Sequence, residues 1–152
     1  MFSIESIIIP PSIFSPNRND QIIDNQIGIP DFGPELELCE KKLLYLAIQE
    51  IKGQTISSDD RIRIDTSTFV KAFGGDHQSA YNELTLACSK IFEREFAYRS
   101  GYNLDSSTLF HSRWVWQVAE NKNEQYVFIC FAISFIPILK KIEDMIFCVD
   151  SN

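Results

Sequence analysis

Two helical segments joined by a pair of glycines constrain the fold of this chain more than any other feature. Residues 78–94 repeat apolar side chains at three- and four-residue steps, the pattern of a helix with one buried face. A shorter helix is predicted over 66–73, and Gly74-Gly75 separates the two. Two β-prone segments follow, 113–118 and 125–132, with a polar turn between them. A helix-turn-helix followed by a β-hairpin predicts an α+β fold of the winged-helix class.

Further elements flank this motif. A helix is predicted over 34–52, because Pro34 suits the first helical turn and Gly53 suits the position after the last one. Short strands are predicted over 61–64 and 95–99, and a closing helix over 134–147. The predicted order is therefore helix, strand, helix, helix, strand, hairpin, helix.

The first 34 residues differ in composition from the rest of the chain. They contain five of the six prolines, so we predict an extended arm or irregular loop without packed elements. Residues 3–9 are apolar enough to form a strand that pairs with a sheet edge, and a frayed terminus is the equal alternative. We therefore divide the 152 residues into a proline-rich arm, 1–34, and one winged-helix domain, 35–148.

The charge balance restricts the possible partners. The chain has 14 basic and 21 acidic residues, a formal charge of −7, which repels a phosphate backbone unless the cations cluster. No apolar segment reaches the length of a membrane helix, and the first nine residues have no positive charge typical of a signal peptide. We expect a cytoplasmic protein that does not contact membranes.

No motif of enzymatic chemistry is present in the sequence. The four cysteines are widely spaced without a Cys-x-x-Cys pair, so they are expected to be reduced residues of the core and not zinc ligands. The sequence has no glycine-rich phosphate loop and no nucleophile elbow. We predict a non-enzymatic protein without cofactor, metal or small-molecule substrate.

Specific residues in the predicted helices point to a protein family. The segment 38–48 resembles the opening helix of the initiator Rep proteins of plasmid replication. The matching residues are Leu38, Glu40, Lys42, Leu43, Leu46, Ala47 and Ile48. Arginine is usual in that family where Lys42 stands. Residues 80–98 resemble the second long helix and exit strand of the family, while 112–115 and 131–139 resemble its hairpin and closing helix. The similarity spans residues 36–147.

The resemblance implies a function. Family members have two tandem winged-helix domains, of which the first dimerises and touches the DNA backbone and the second, basic one reads the origin repeats. Only the first is matched here, and we expect the second to be absent. The expected function is that of an N-terminal dimerisation domain of a plasmid replication initiator, with weak backbone contact at the origin DNA. The alternative is a stand-alone acidic protein that inhibits a full-length initiator by forming heterodimers.

A homodimer interface is predicted on the hairpin. Its two strands are aromatic or apolar on both faces, so one face is expected to cover the core and the other to contact a partner. The alternative is that helices of the same chain cover both faces. The candidate interface residues are Trp114 and Trp116, predicted to share one face of a strand, and Tyr126, Phe128 and Cys130.

Phosphate contacts are predicted from basic residues around the helix-turn-helix. Such side chains position a protein on DNA without reading its bases. A solvated charged face without a ligand is the alternative. The candidates are Arg61, Arg63, Lys71, Lys90, Arg94, Arg99 and Arg113.

Overall fold

The computed structural model describes residue 23 and residues 25–150, with side chains described up to residue 146. This part of the chain contains four helices and six strands. Their order is β1 (Gln26–Asp31), α1 (Leu38–Ile51), β2 (Ile62–Asp65), α2 (Thr66–Phe73), α3 (His77–Phe92), β3 (Glu95–Gly101), β4 (Ser107–Arg113), β5 (Val115–Asn121), β6 (Tyr126–Phe131) and α4 (Ile136–Asp150).

The helix-turn-helix and the hairpin lie where the sequence predicts them. Strands β2, β6 and β5, in that order, form one antiparallel sheet, which we call the wing sheet. Ile62 and Ile64 of β2 point into the core because alternate residues of a strand share a face. The Asp76 carboxylate caps α3 by accepting the Ser79 N–H at 2.8 Å, and this hydrogen bond lowers the pKa of Asp76.

A second antiparallel sheet, which we call the arm sheet, contains β1, β3 and β4 in that order. Two of its strands have no counterpart among the elements that the sequence predicts. Residues 26–31 lie within the proline-rich segment and still form a strand, so the prediction that this segment lacks packed elements is wrong there. Residues 107–113 have few β-branched side chains and weak alternation, which is why β4 escapes a sequence pattern. The predicted strand over 3–9 lies outside the described residues.

One hydrophobic core joins both sheets to the helices. Val127, Ile129 and Phe131 of β6 face it, as the alternation predicts. Phe135, one residue before α4, stacks on Trp114 at a ring distance of 4.6 Å and also contacts Phe131. The interior aliphatic side chains come mainly from α1, α3 and α4 and include Leu43, Leu44, Ile48, Leu84, Ile91, Ile138, Leu139 and Ile142.

Candidate interaction surfaces

Arg94 is a structural residue in this fold and not an exposed cation. Its guanidinium donates from Nη2 to Glu40 Oε1 at 2.9 Å, and the Glu40 side chain is buried while that of Arg94 is nearly so. It also donates to the backbone carbonyls of Pro34 and Glu35. The end of α3 is thereby tied to the start of α1, which explains why the opening helix contains a glutamate at position 40. Most donors of Arg94 are engaged inside the chain, and this disfavours phosphate binding.

Three further cations of the predicted phosphate set have partners within the chain. Lys90 pairs with Glu37 at 2.7 Å. Arg63 pairs with Asp65 at 2.9 Å, and its guanidinium carbon lies 3.7 Å from the ring centre of Tyr126. The Arg113 side chain donates to the Phe92 carbonyl. The predicted cations that remain are Arg61, Lys71 and Arg99.

Arg61 and Lys71 lie on the wing-sheet side of the molecule, just before β2 and on α2. Both are exposed, and within the described residues neither forms an ion pair. Arg99 is exposed on the arm sheet and only approaches the Ser107 hydroxyl, at 3.4 Å. The predicted cations therefore do not form one basic surface.

The two tryptophans of the predicted dimer interface lie in different environments. Trp114 precedes β5 and is 1% exposed in the core, whereas Trp116 is 45% exposed. The prediction that they share one strand face is wrong, because β5 begins after Trp114 and its register with β6 shifts between Val115 and Gln117. The Trp116 indole N–H donates to the Ser58 carbonyl at 2.7 Å.

The β6 candidates face away from the core but are partly covered. Tyr126 and Phe128 are half-buried and their rings lie 5.1 Å apart. Cys130 is buried, with its Sγ 3.7 Å from Gln117 Oε1, and burial raises the pKa of its thiol. Trp114 and Cys130 therefore offer no surface to a partner in this fold, while Trp116, Tyr126 and Phe128 are accessible.

A group of exposed apolar side chains belongs to a different element, the β3–β4 hairpin. At its tip Tyr102 and Leu104 are 92% and 66% exposed, and on β4 Leu109 and Phe110 are 44% and 42% exposed. Leu109 and Phe110 are consecutive on the strand, so their side chains lie on opposite faces of the hairpin. Exposed apolar side chains concentrated on one element mark an interaction surface more often than scattered residues do. Sequence patterning misses this surface because it leaves residues 100–112 without an element.

The arm sheet has two edges that differ in regularity. β4 forms seven consecutive pairs with β3, and in the described residues no strand pairs with its outer edge. β1, at the opposite edge, has a register shift between Ile27 and Asp31, a glycine with φ +72° at Gly28, and Pro30, which lacks an N–H. Irregular, proline-containing edges resist further pairing, whereas a regular edge accepts it. Of these two edges, only that of β4 is open to a new strand by this criterion.

An open cleft of about 760 Å³ lies between the start of α1, the end of α3 and the arm sheet. Its lining charges include the paired Glu37, Lys90, Glu40 and Arg94.

Among the described residues, no group of three His, Cys, Asp or Glu side chains is arranged to hold a metal ion. Burial raises the pKa of the Cys88 thiol to about 12. Within the described part of the chain, no helix is long and apolar enough to span a membrane.

Comparison with known proteins identifies the family. The family model described as "Initiator Replication protein, WH1" matches residues 31–148. The chain belongs to the initiator replication protein WH1 family. This match confirms the resemblance found in the opening helix. No curated protein sequence matches the chain.

Two solved structures resemble the fold of this chain. The WH1 domain of MSBI1.176, a replication protein isolated from a multiple sclerosis patient, is 29% identical, with a TM-score of 0.65 over 73% of this chain and 86% of that one. Domains 2 and 3 of RctB share 10% identity, with a TM-score of 0.51 over 91% of this chain and 63% of that one, which shows similarity of fold alone. The predicted α+β winged-helix class is thus confirmed.

Proposed function

We propose that this WH1 domain pairs with a second copy of itself through the open edge of β4, as part of replication initiation. The observation that carries the proposal is that a regular strand edge, which no strand of the described residues covers, coincides with exposed apolar side chains on the same hairpin. An edge strand presents unpaired N–H and C=O groups, and addition of another strand satisfies them. Pairing therefore gains both backbone hydrogen bonds and apolar burial.

The charge distribution favours a second copy of the chain as the partner at the β4 edge. The chain is acidic overall, so two copies repel each other over most of their surfaces. The segment 107–113 is an exception, since it contains one arginine and no carboxylate. Two β4 strands can approach without juxtaposed acidic groups, which favours self-association at this edge.

A secondary role in DNA contact is proposed for Arg61 and Lys71. Both are exposed and lack an ion pair with any described residue, which leaves them available to phosphate oxygens. Two cations on an acidic domain provide weak, sequence-independent positioning and no base reading. This contact would supplement DNA binding by other parts of an initiator.

Sedimentation velocity of matched variants tests the proposal. The unaltered chain is expected to sediment as a dimer at micromolar concentrations, and Phe110→Asp as a monomer, because two carboxylates would be buried at the paired edge. Leu86→Asp replaces a similarly exposed apolar residue on α3 and should leave the dimer intact. Phe128→Ala tests the wing-sheet surface in the same way.

The outcomes separate the two surfaces. If Phe128→Ala dissociates the dimer while Phe110→Asp does not, the interface lies on the wing sheet and the β4 proposal is wrong. Heterodimer formation with a full-length initiator, the alternative function, stays a prediction, and mixing the two proteins before sedimentation tests it.

A further inference from the structure

A row of aromatic rings runs across the arm sheet and ends at an exposed ring. Phe32 stacks on Phe96 at 5.6 Å, Phe96 on Tyr98 at 5.8 Å, and Tyr98 on Phe110 at 5.1 Å. Phe96 is buried, while Phe110 is on the edge strand with one side uncovered. The row thus connects the core to the surface at which the proposed dimer forms, and a ring from a partner would continue it.

The hydrogen-bonding phase of β4 follows from two backbone contacts. At the end of β3, the Gly101 N–H donates to the Asn25 carbonyl next to β1, and so points away from β4. Just after β4, the Trp114 N–H donates to the Arg94 carbonyl next to β3, and so points towards β3. The N–H and C=O of one strand residue point the same way, and successive residues alternate. The outward backbone groups of β4 therefore belong to its odd-numbered residues, which are Ser107, Leu109, His111 and Arg113.

We infer that two copies pair antiparallel along β4 with the two-fold axis at Phe110. This register rests on the proposed function, and it specifies which residues of the two β4 strands lie opposite each other. It forms hydrogen-bonded pairs between Leu109 and the second copy's His111, and between Ser107 and its Arg113. Phe110 lies opposite Phe110 in a non-hydrogen-bonded pair, where side chains of antiparallel strands approach most closely. The aromatic rows of the two copies then become continuous.

Alternative registers are less complementary. A two-fold axis at Phe110 matches all seven residues of β4, whereas a shift to Leu109 or His111 leaves strand ends without partners. Because the outward groups are on odd-numbered residues, a two-fold axis between two neighbouring residues would set odd-numbered residues opposite even-numbered ones, whose backbone groups cannot exchange hydrogen bonds. The register at Phe110 also places Arg113 opposite a serine, so no like charges meet.

Cysteine cross-linking tests the register. Thr108 should face Ser112 of the second copy at a Cα distance of about 4.5 Å, which suits a disulfide, while the two Thr108 residues should be about 13 Å apart. In a background with Cys39→Ser and Cys148→Ser, chains with Thr108→Cys are mixed with chains with Ser112→Cys and oxidised. Both substitutions are small changes on the edge strand, and circular dichroism verifies folding.

The expected result is a disulfide dimer in the mixture, approaching about half of the chains at random pairing, and none with either variant alone. Cross-linking of Thr108→Cys alone would overturn this register, as would a failure of the mixture to cross-link while it sediments as a dimer. A monomer in sedimentation, before oxidation, would instead reject the proposed dimer function together with the register.

Discussion

Glu40 shows how a single residue links the family pattern to stability. Its carboxylate accepts the Glu37 N–H at 3.0 Å at the start of α1 and also receives the Arg94 guanidinium. A carboxylate buried this deeply is tolerated only because each oxygen has a donor. The same interactions occupy Arg94, which therefore serves the fold and not a phosphate. A sequence pattern identifies the charged residue but cannot show that its partner lies 54 positions away.

Glu40→Gln is expected to lower the free energy of unfolding by about 3 kcal/mol, because it leaves the largely buried Arg94 without a counter-charge. Urea denaturation monitored by circular dichroism measures the loss. Asp65→Asn breaks the exposed pair with Arg63 and serves as the control, with a much smaller expected effect. Equal losses in the two variants would show that the Glu40–Arg94 pair contributes no more than a surface ion pair.

At the scale of elements, the sequence predicts those helices and strands whose formation depends on neighbouring residues in the chain. The helices α1, α2, α3 and α4 and the strands of the wing sheet follow from apolar periodicity, caps and glycine positions. β1 and β4 do not, since each is a strand only because β3 lies beside it. The interaction surface proposed on β4 escapes sequence prediction for the same reason. The predicted residues Trp114 and Cys130 are buried because a bulge and tertiary packing decide their orientation.

The β3–β4 hairpin depends on a glycine at its turn. A Cβ at Gly101 would lie 2.7 Å from the Ser106 carbonyl oxygen and from Ser107 Cα, so Gly101→Ala must displace the start of β4. We expect the dimer dissociation constant to rise roughly tenfold, the equivalent of about 1.4 kcal/mol. Sedimentation equilibrium measures it.

Gly74→Ala is the control for this hairpin variant. Gly74 has φ +81° and open space around an added methyl, so its substitution costs stability in the helix-turn-helix without touching β4. An unchanged dissociation constant is expected there. If both variants weakened the dimer equally, the effect would reflect general destabilisation, and the hairpin geometry would not be responsible.

At the scale of the whole molecule, charge and surface chemistry separate two roles. The open, apolar edge is on the arm sheet, and the two exposed cations proposed for phosphate contact, Arg61 and Lys71, are beside the wing sheet. Self-association and phosphate contact would therefore use different surfaces, and one need not block the other. The acidic remainder of the chain limits how strongly it can hold DNA by itself.

Salt dependence of DNA binding tests this separation. If one chain of the dimer contacts the duplex through two phosphates, the logarithm of the binding constant should fall with the logarithm of salt concentration with a slope of about −2, equally for origin-repeat and scrambled sequences. Arg61→Ala or Lys71→Ala should each reduce the slope by about 1. Arg63→Ala, whose side chain already pairs with Asp65, should leave it unchanged. A steeper slope, or a preference for the origin sequence, would contradict the assignment of DNA contact to these two cations, and would mean that Arg99 or cations now in internal ion pairs also bind DNA.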